Sequence, residues 1–401
     1  MTALPIGKIK SVLIVILAAL AVYQTGLLWF VNITNRNFLL NYFPFLQQVA
    51  IPEGADRIAV PWRIMTLKED GSFRAQYSNI AGSDTWLYSH MILENLLQDG
   101  SFVNTYPPGP YINERMLAWP AYIHEYAFPM DAEWFTHAFG QRGNTLTSRG
   151  VEFFRWIIIH LPENSAVSVY FVCENGYVYE FAVTPADGWA DAFLHINLEE
   201  AAGPIYSFED GLFIRQDPFP GVKITNPYAD DRGNFSLSFM QDRVSGFFGN
   251  PAAIRSIGFD PVWVFRDANT VVRYYVTQVL EYINYRAIDL GESSTFLSDY
   301  VAAIQFVEED PSVVNEFYLA GFREENYQHI FYFNYIVGEM PLLMPEGWPQ
   351  NAPLSYPIVV TVDRGTVIRY RKLVLNFHVD ESVRLSSQSS LRGFIRNLLP
   401  N

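Results

Sequence analysis

The run from Val12 to Val31 limits this chain more than any other feature, because it holds no charged side chain and is interrupted only at Tyr23-Gln24-Thr25 and Gly26. A helix rises about 1.5 Å per residue, so such a run covers roughly the 30 Å hydrocarbon thickness of a bilayer. Backbone inside lipid must satisfy its own hydrogen bonds, which leaves helix as the state of a lone segment. Lys8 and Lys10 precede the run and no acid does. The positive-inside rule therefore keeps residues 1–11 in the cytoplasm and sends the rest across. A cleaved signal peptide would have an apolar core of about 7–15 residues and a small-residue cleavage site. Tyr23 to Asn32 offers no such site, so the sequence predicts an uncleaved single-pass anchor. Gln24 and Thr25 have two readings: they sit near the outer headgroups, or they hydrogen-bond to a partner helix, a contact worth about 0.6–2 kcal/mol in membranes.

Beyond the anchor, 25 basic residues face 42 acidic ones. That balance argues against nucleic acid as a partner and against adhesion to an anionic membrane face. Half of the chain is hydrophobic and 16% is aromatic, enough to build cores rather than a disordered stalk. The length suits two or three domains. A single cysteine, Cys173, rules out an internal disulfide framework, and its setting of Val169-Tyr170-Phe171-Val172 predicts a buried thiol.

Periodicity gives an α+β chain of antiparallel sheets with packed helices. Arg57 to Leu67 reads as a strand paired with Phe73 to Tyr77. Ser83 to Leu97 has helical spacing, with Trp86, Met91, Leu93, Leu96 and Leu97 facing inward and Asp99-Gly100 ending it. Strands are predicted at 153–160 and 167–172, and Glu174-Asn175-Gly176 turns the chain into 177–184. A helix is predicted over 236–248, three short strands to about Tyr285, and a second helix over 293–307 opened by Glu292-Ser293-Ser294. Strands follow at 314–322, 327–337, 358–362 and 367–379, then a terminal helix over 385–399. The expected division is a stub (1–11), the span (12–31), and extracytoplasmic α+β domains at 34–188, 189–291 and 292–401.

One octapeptide echoes another. Asp267-Ala268-Asn269-Thr270-Val271-Val272-Arg273-Tyr274 matches Asp363-Arg364-Gly365-Thr366-Val367-Ile368-Arg369-Tyr370, and Val-Leu follows each. Each reads as a hairpin with a tight Asp-x-x-Thr turn, and the pair predicts that the last two domains are duplicated.

The sequence predicts no enzyme. It has no Walker loop, no Gly-x-Gly-x-x-Gly and no Gly-x-Ser-x-Gly. No two of its seven histidines form a His-x-x-x-His ligand pair, and His124-Glu125 lacks the second histidine of a zinc protease. Asp230-Asp231-Arg232-Gly233-Asn234 lacks the alternating ligands of a calcium loop. No catalytic, cofactor or metal residue is therefore assigned. The aromatics Tyr327, Phe331, Tyr332, Phe333 and Tyr335 read as core strand residues, or else as the lining of a groove for glycan or peptide.

Two stretches resemble the YycH/YycI family, membrane-anchored regulators of the YycG (WalK) sensor kinase. One is the anchor, Lys8-Ile9-Lys10-Ser11 into Val12-Leu13-Ile14 and on to Leu27-Leu28-Trp29. The other is Phe247-Phe248-Gly249-Asn250-Pro251, then Ile254-Arg255, Val264-Phe265-Arg266-Asp267, Arg273-Tyr274 and Leu280-Glu281-Tyr282. This second stretch is similar to the YycH pattern, with Phe265 where Tyr is usual and Ala268 where Gly is usual. The resemblance implies a transmembrane helix, three outer domains of which the last two are related, and partnership with a YycG/WalK-type sensor histidine kinase and a YycI-like protein. It implies no catalytic residue. Its structural positions here are Phe248, Pro251, Arg255, Asp267, Arg273 and Tyr274, with Asp363, Arg369 and Tyr370 in the second octapeptide. A cell-wall binding module carried on the same anchor is the alternative reading.

Overall fold

The computed structural model describes residues 54–68, 70–108, 120–141, 143–160, 166–184, 203–209, 212–217, 219–227, 237–259, 262–285, 294–342 and 354–385. The anchor run with Gln24 and Thr25, most of the Asn226–Asn234 loop and the expected terminal helix lie outside them. Among the described residues no helix is long and apolar enough to cross a membrane.

Every pairing among the described strands is antiparallel. The first sheet holds β1 (Arg63–Leu67), β2 (Phe73–Gln76), β3 (Ser101–Tyr106), β4 (Ala121–Asp131), β5 (Phe153–His160), β6 (Val167–Cys173), β7 (Val178–Val183), β8 (Ile205–Glu209) and β9 (Leu212–Arg215), in the order β3-β7-β6-β5-β4-β1-β2-β8-β9. Helix α1 (Asp84–Asp99) and the short α2 (Ala132–Ala138) accompany it. Ser83 caps α1 by accepting from the Trp86 N–H at 3.2 Å. Its buried positions are Trp86, Ser89, Ile92, Leu93, Leu96 and Leu97, a 3.6-residue stripe. Met91, expected inward, is 39% exposed because that stripe selects Ile92 instead. The expected strand from Arg57 begins only at Arg63. Ala55–Ala59 is a 3₁₀ turn, and Pro61 has no N–H to give a ladder.

A two-stranded sheet pairs β10 (Phe219–Thr225) with β19 (Asn376–Leu385). The second large sheet is built from two similar runs. Helix α3 (Leu237–Val244) precedes β11 (Arg255–Phe259), β12 (Val262–Arg266), β13 (Thr270–Tyr275) and β14 (Val279–Asn284), four strands where three were expected. Helix α4 (Phe296–Glu309) precedes β15 (Phe317–Glu325), β16 (Gln328–Tyr335), β17 (Ile358–Asp363) and β18 (Thr366–Leu373). α4 starts later than its sequence signal, because Thr295 and Ser298 form the capping box. Each run is a four-stranded meander, and the two join through their last strands in the order β11-β12-β13-β14-β18-β17-β16-β15. The β14–β18 seam pairs Tyr282 with Tyr370 and Glu281 with Arg371.

One apolar core runs through both large sheets, from Ile64 and Phe154 in the first to Phe265, Phe331 and Tyr370 in the second. Trp134 of α2 stacks on Phe296 of α4 with centroids 3.7 Å apart, and Trp62 stacks on Tyr318 at 5.4 Å. Glu339 accepts from the Tyr77 N–H at 3.1 Å and from Ser78, binding the end of β2 to the second sheet. Phe331, Phe333 and Tyr335 are core residues, whereas Tyr327 at the β15–β16 turn is 90% exposed. Cys173 is buried, and burial pushes its thiol up to about 12.

Candidate functional site

The residues singled out in the sequence meet at the seam. Alternation along a strand sends successive side chains to opposite faces. On β14, Leu280 and Tyr282 therefore enter the core and Glu281 points the other way, between Arg273 of β13 and Arg371 of β18.

Glu281 is 2% exposed, covered by arginines on the face opposite Leu280 and Tyr282. Arg273 Nη1 donates to Oε2 at 3.0 Å and the Tyr275 hydroxyl donates to the same oxygen at 3.1 Å. Arg369 donates to Oε1 through Nε at 2.9 Å and again through Nη2. Arg371 Nε lies 3.9 Å from Oε1. Burial alone would raise the Glu281 pKa. The hydrogen bonds and charge of Arg369, with those of Arg273, outweigh it and hold the carboxyl below its usual range. The two octapeptide arginines thus close on one carboxylate from the two sides of the seam.

The core side of the seam is built by their neighbours. Tyr370 donates to Asp310 Oδ2 at 2.9 Å, and Lys372 Nζ reaches the same oxygen at 2.7 Å. Lys372 is fully buried, Asp310 nearly so, and Asp310 is the residue that ends α4. Burial opposes the Asp310 charge, but Lys372 and two hydrogen bonds from Ser312 keep its pKa low. Phe247 stands 5.8 Å from Tyr282 and 6.1 Å from Tyr370, and Phe306 closes the cluster 5.0 Å from Tyr282.

The other expected positions have distinct places. Phe248 is buried behind α3, and Pro251 opens a 3₁₀ turn capped by Asn250. Tyr274 is buried and receives a hydrogen bond from Asn226 at 3.2 Å. Arg255 lies opposite Arg266 at the start of β11. Asp267 Oδ1 accepts the N–H groups of Asn269 and Thr270 at 2.8 and 2.7 Å, an Asx turn. At the second octapeptide Arg364 and Gly365 take φ of 49° and 75° instead. There the Gly365 N–H donates to Asp299 Oδ1 at 2.6 Å, while His329 Nδ1 meets the other oxygen at 2.6 Å. The echoed turns lie between β12 and β13 and between β17 and β18, so they hold different places in the two meanders.

His124 and Glu125 point to opposite faces of β4. His124 is fully buried against Ser89 Oγ at 2.9 Å, and Glu125 pairs with Arg63. Adjacent residues so placed cannot share a metal ion. Among the described residues no group of three or more His, Cys, Asp or Glu is placed to hold one. Arg371, Asp310, Lys372 and the Asp299–His329 pair carry no sequence motif, and Glu281 stands in the family-like Leu280-Glu281-Tyr282 stretch without any sign of its arginine partners. For Glu281 the signal was an acid between two large apolar residues in a strand; for Asp310 the sequence showed only a helix end before Pro311.

Fold and site define a mixed α/β chain with antiparallel sheets and few helices. No protein-family model matches it, and no curated protein does. Among solved structures it is similar to the crystal structure of YycH from Bacillus subtilis, with a TM-score of 0.44 and 11% sequence identity over 83% of this chain and 86% of that one.

Proposed function

We propose that this chain is a membrane-anchored, non-enzymatic regulator of a YycG/WalK-type sensor histidine kinase, acting beside a YycI-like protein. The observation that carries this reading is where the family-like residues fall. Phe247, Arg273, Leu280, Glu281 and Tyr282 lie on the two faces of one seam, and there they lock two meanders into a single plate. A plate joined by a continuous strand ladder with one carboxylate shared across it moves as one body, which suits it to pass a binding event to an attached helix. In this reading the anchor spans the membrane once, the bulk is extracytoplasmic, and 189–291 and 292–401 are the two related units after the first domain, 34–188. Such a regulator shifts kinase output only if it binds one kinase state better, and about 1–3 kcal/mol of difference is enough. The test is co-purification of the kinase with the full-length chain from membranes, repeated with Gln24→Leu/Thr25→Leu. Capture of the kinase is expected, with altered kinase output in the variant. No capture of either partner by the full-length chain overturns the reading.

A second reading, an envelope-binding module, is favoured by one observation. An aromatic cleft of about 410 Å³ between the large sheets is lined by Trp62, Tyr77, Tyr126, Phe128, Tyr300 and Tyr318. Binding of the full-length chain to purified peptidoglycan, lost in Trp62→Ala, would favour this module.

A further inference from the structure

The face of the second sheet turned away from the core carries a charge opposite to that of the whole chain. Cross-strand register puts Arg255 opposite Arg266, and one rung on it puts Arg273, Glu281 and Arg371 in a row with Arg369 beside them. The outward positions of β11 to β14 and β18 hold five arginines and one carboxylate, in a chain of net charge −15. Glu281 already accepts from Arg273 and Arg369, and among the described residues no other outward position of these strands is acidic. Arg255 and Arg266 are both exposed, and among the described residues no carboxylate lies within ion-pair distance of either. Like charges directly opposite in a ladder repel each other, which an incoming anion relieves.

Neighbouring strands lie about 4.8 Å apart, so the arginines span about 19 Å from β11 to β18. That is the length of roughly six residues of extended peptide, at about 3.3 Å each. The face is not purely ionic. Ile257, Val264, Val271, Ile283 and Val359 share it and are exposed or only half-buried. A phosphate polymer has no use for these apolar positions. A flat anionic membrane would also meet the acidic remainder of the surface, which repels it. A second copy docked symmetrically would set arginine against arginine.

We infer that the face of β11–β14 and β18 that carries these arginines binds an extended segment of a partner protein whose sheet-facing positions, every second residue, include both acidic and apolar side chains. Guanidinium forks take its carboxylates as Arg369 already takes Glu281, and the apolar residues rest on the aliphatic positions between them. This inference goes beyond the regulatory reading and does not require the partner to be a kinase.

The test is fluorescence anisotropy of a labelled Glu-Ser-Val-Ser-Glu-Ser-Val peptide, which sets acids and apolar residues on one face, with the full-length chain in detergent. The same peptide with Gln for Glu, polyphosphate, and phosphatidylglycerol vesicles serve as comparisons. The acidic peptide should bind, and both the Gln peptide and the Arg255→Gln/Arg266→Gln chain should weaken binding by roughly tenfold or more. These arginines lie outside the seam, so an unchanged melting temperature shows that the variant is folded. Equal binding by wild type and folded variant overturns the inference. So does binding of polyphosphate or vesicles without binding of the acidic peptide, which would assign the face to a phosphate polymer or a membrane.

Discussion

Arg273 and Arg369 donate to opposite oxygens of the same buried carboxylate, Glu281, from the two sides of the seam that joins the meanders. Neutralising that carboxylate leaves guanidinium groups facing one another with no negative charge between them. Glu281→Gln should therefore destabilise the chain by about 3 kcal/mol in urea unfolding, the scale of a broken buried pair. Arg273→Gln and Arg369→Gln should each cost about 1 kcal/mol or less, because both arginines are a third to a half exposed and water screens them. A Glu281→Gln loss no larger than that of either arginine would mean the seam is held by its backbone ladder and aromatic side alone.

On the core side, Lys372 is fully buried beside Asp310, away from bulk solvent. Lys372→Met alone should cost about 3–5 kcal/mol by stranding the Asp310 charge. Adding Asp310→Asn should recover most of that loss. Tyr370→Phe removes a single hydrogen bond and should cost about 1 kcal/mol. A simple sum of the Lys372 and Asp310 effects in the double variant would contradict a shared ion pair.

His124 gives the first sheet a pH dependence. Burial pushes its pKa down to about 3, against about 6.5 in an unfolded chain. Between those values the unfolded chain binds the proton and the folded one does not, so stability falls as pH falls through this window. The slope approaches about 1.4 kcal/mol per pH unit well below pH 6.5. His124→Leu paired with Ser89→Ala keeps the site apolar and should flatten the urea midpoint between pH 6.5 and pH 4.5. The carboxylates with lowered pKa, Glu281 and Asp310, also lose stability in acid, but only as pH falls through their own lower values. An unaltered pH slope in the double variant would place the dependence elsewhere.

What the sequence disclosed follows from how local each feature is. Helix α1 and the Glu174-Asn175-Gly176 hairpin depend on neighbours within a few residues, and they stand where periodicity and turn chemistry put them. Arg273 and Arg369 were visible as members of an echo, but their shared target was not. It depends on β14 pairing with β18, a contact that no spacing encodes. Asp310 illustrates the same limit: its sequence neighbours describe a helix end, and its partner lies 62 residues away. Met91 was misplaced because its hydrophobicity says nothing about which arc of the helix faces the sheet. The two turns of the echo differ because Gly365 permits positive φ, whereas Asp267 must supply its own side-chain oxygen as acceptor.

The join between the large sheets offers a last test. Glu339 takes φ of 58°, a conformation that costs a residue with a side chain, and from there accepts from Tyr77 and Ser78. Backbone N–H groups bound to a carboxylate are worth about 1.5–3 kcal/mol of local protection, more than bonds to a neutral amide oxygen. Glu339→Gln should therefore speed hydrogen exchange at the Tyr77 and Ser78 amides by roughly tenfold. Amides in the centre of β5 and β6 should not change, since their ladder is interior to the first sheet. Faster exchange at 77–78 alone would show that the link opens locally while both sheets stay intact. Unchanged exchange there would mean that the packing of Trp134 on Phe296 and of Trp62 on Tyr318 holds the sheets together without it.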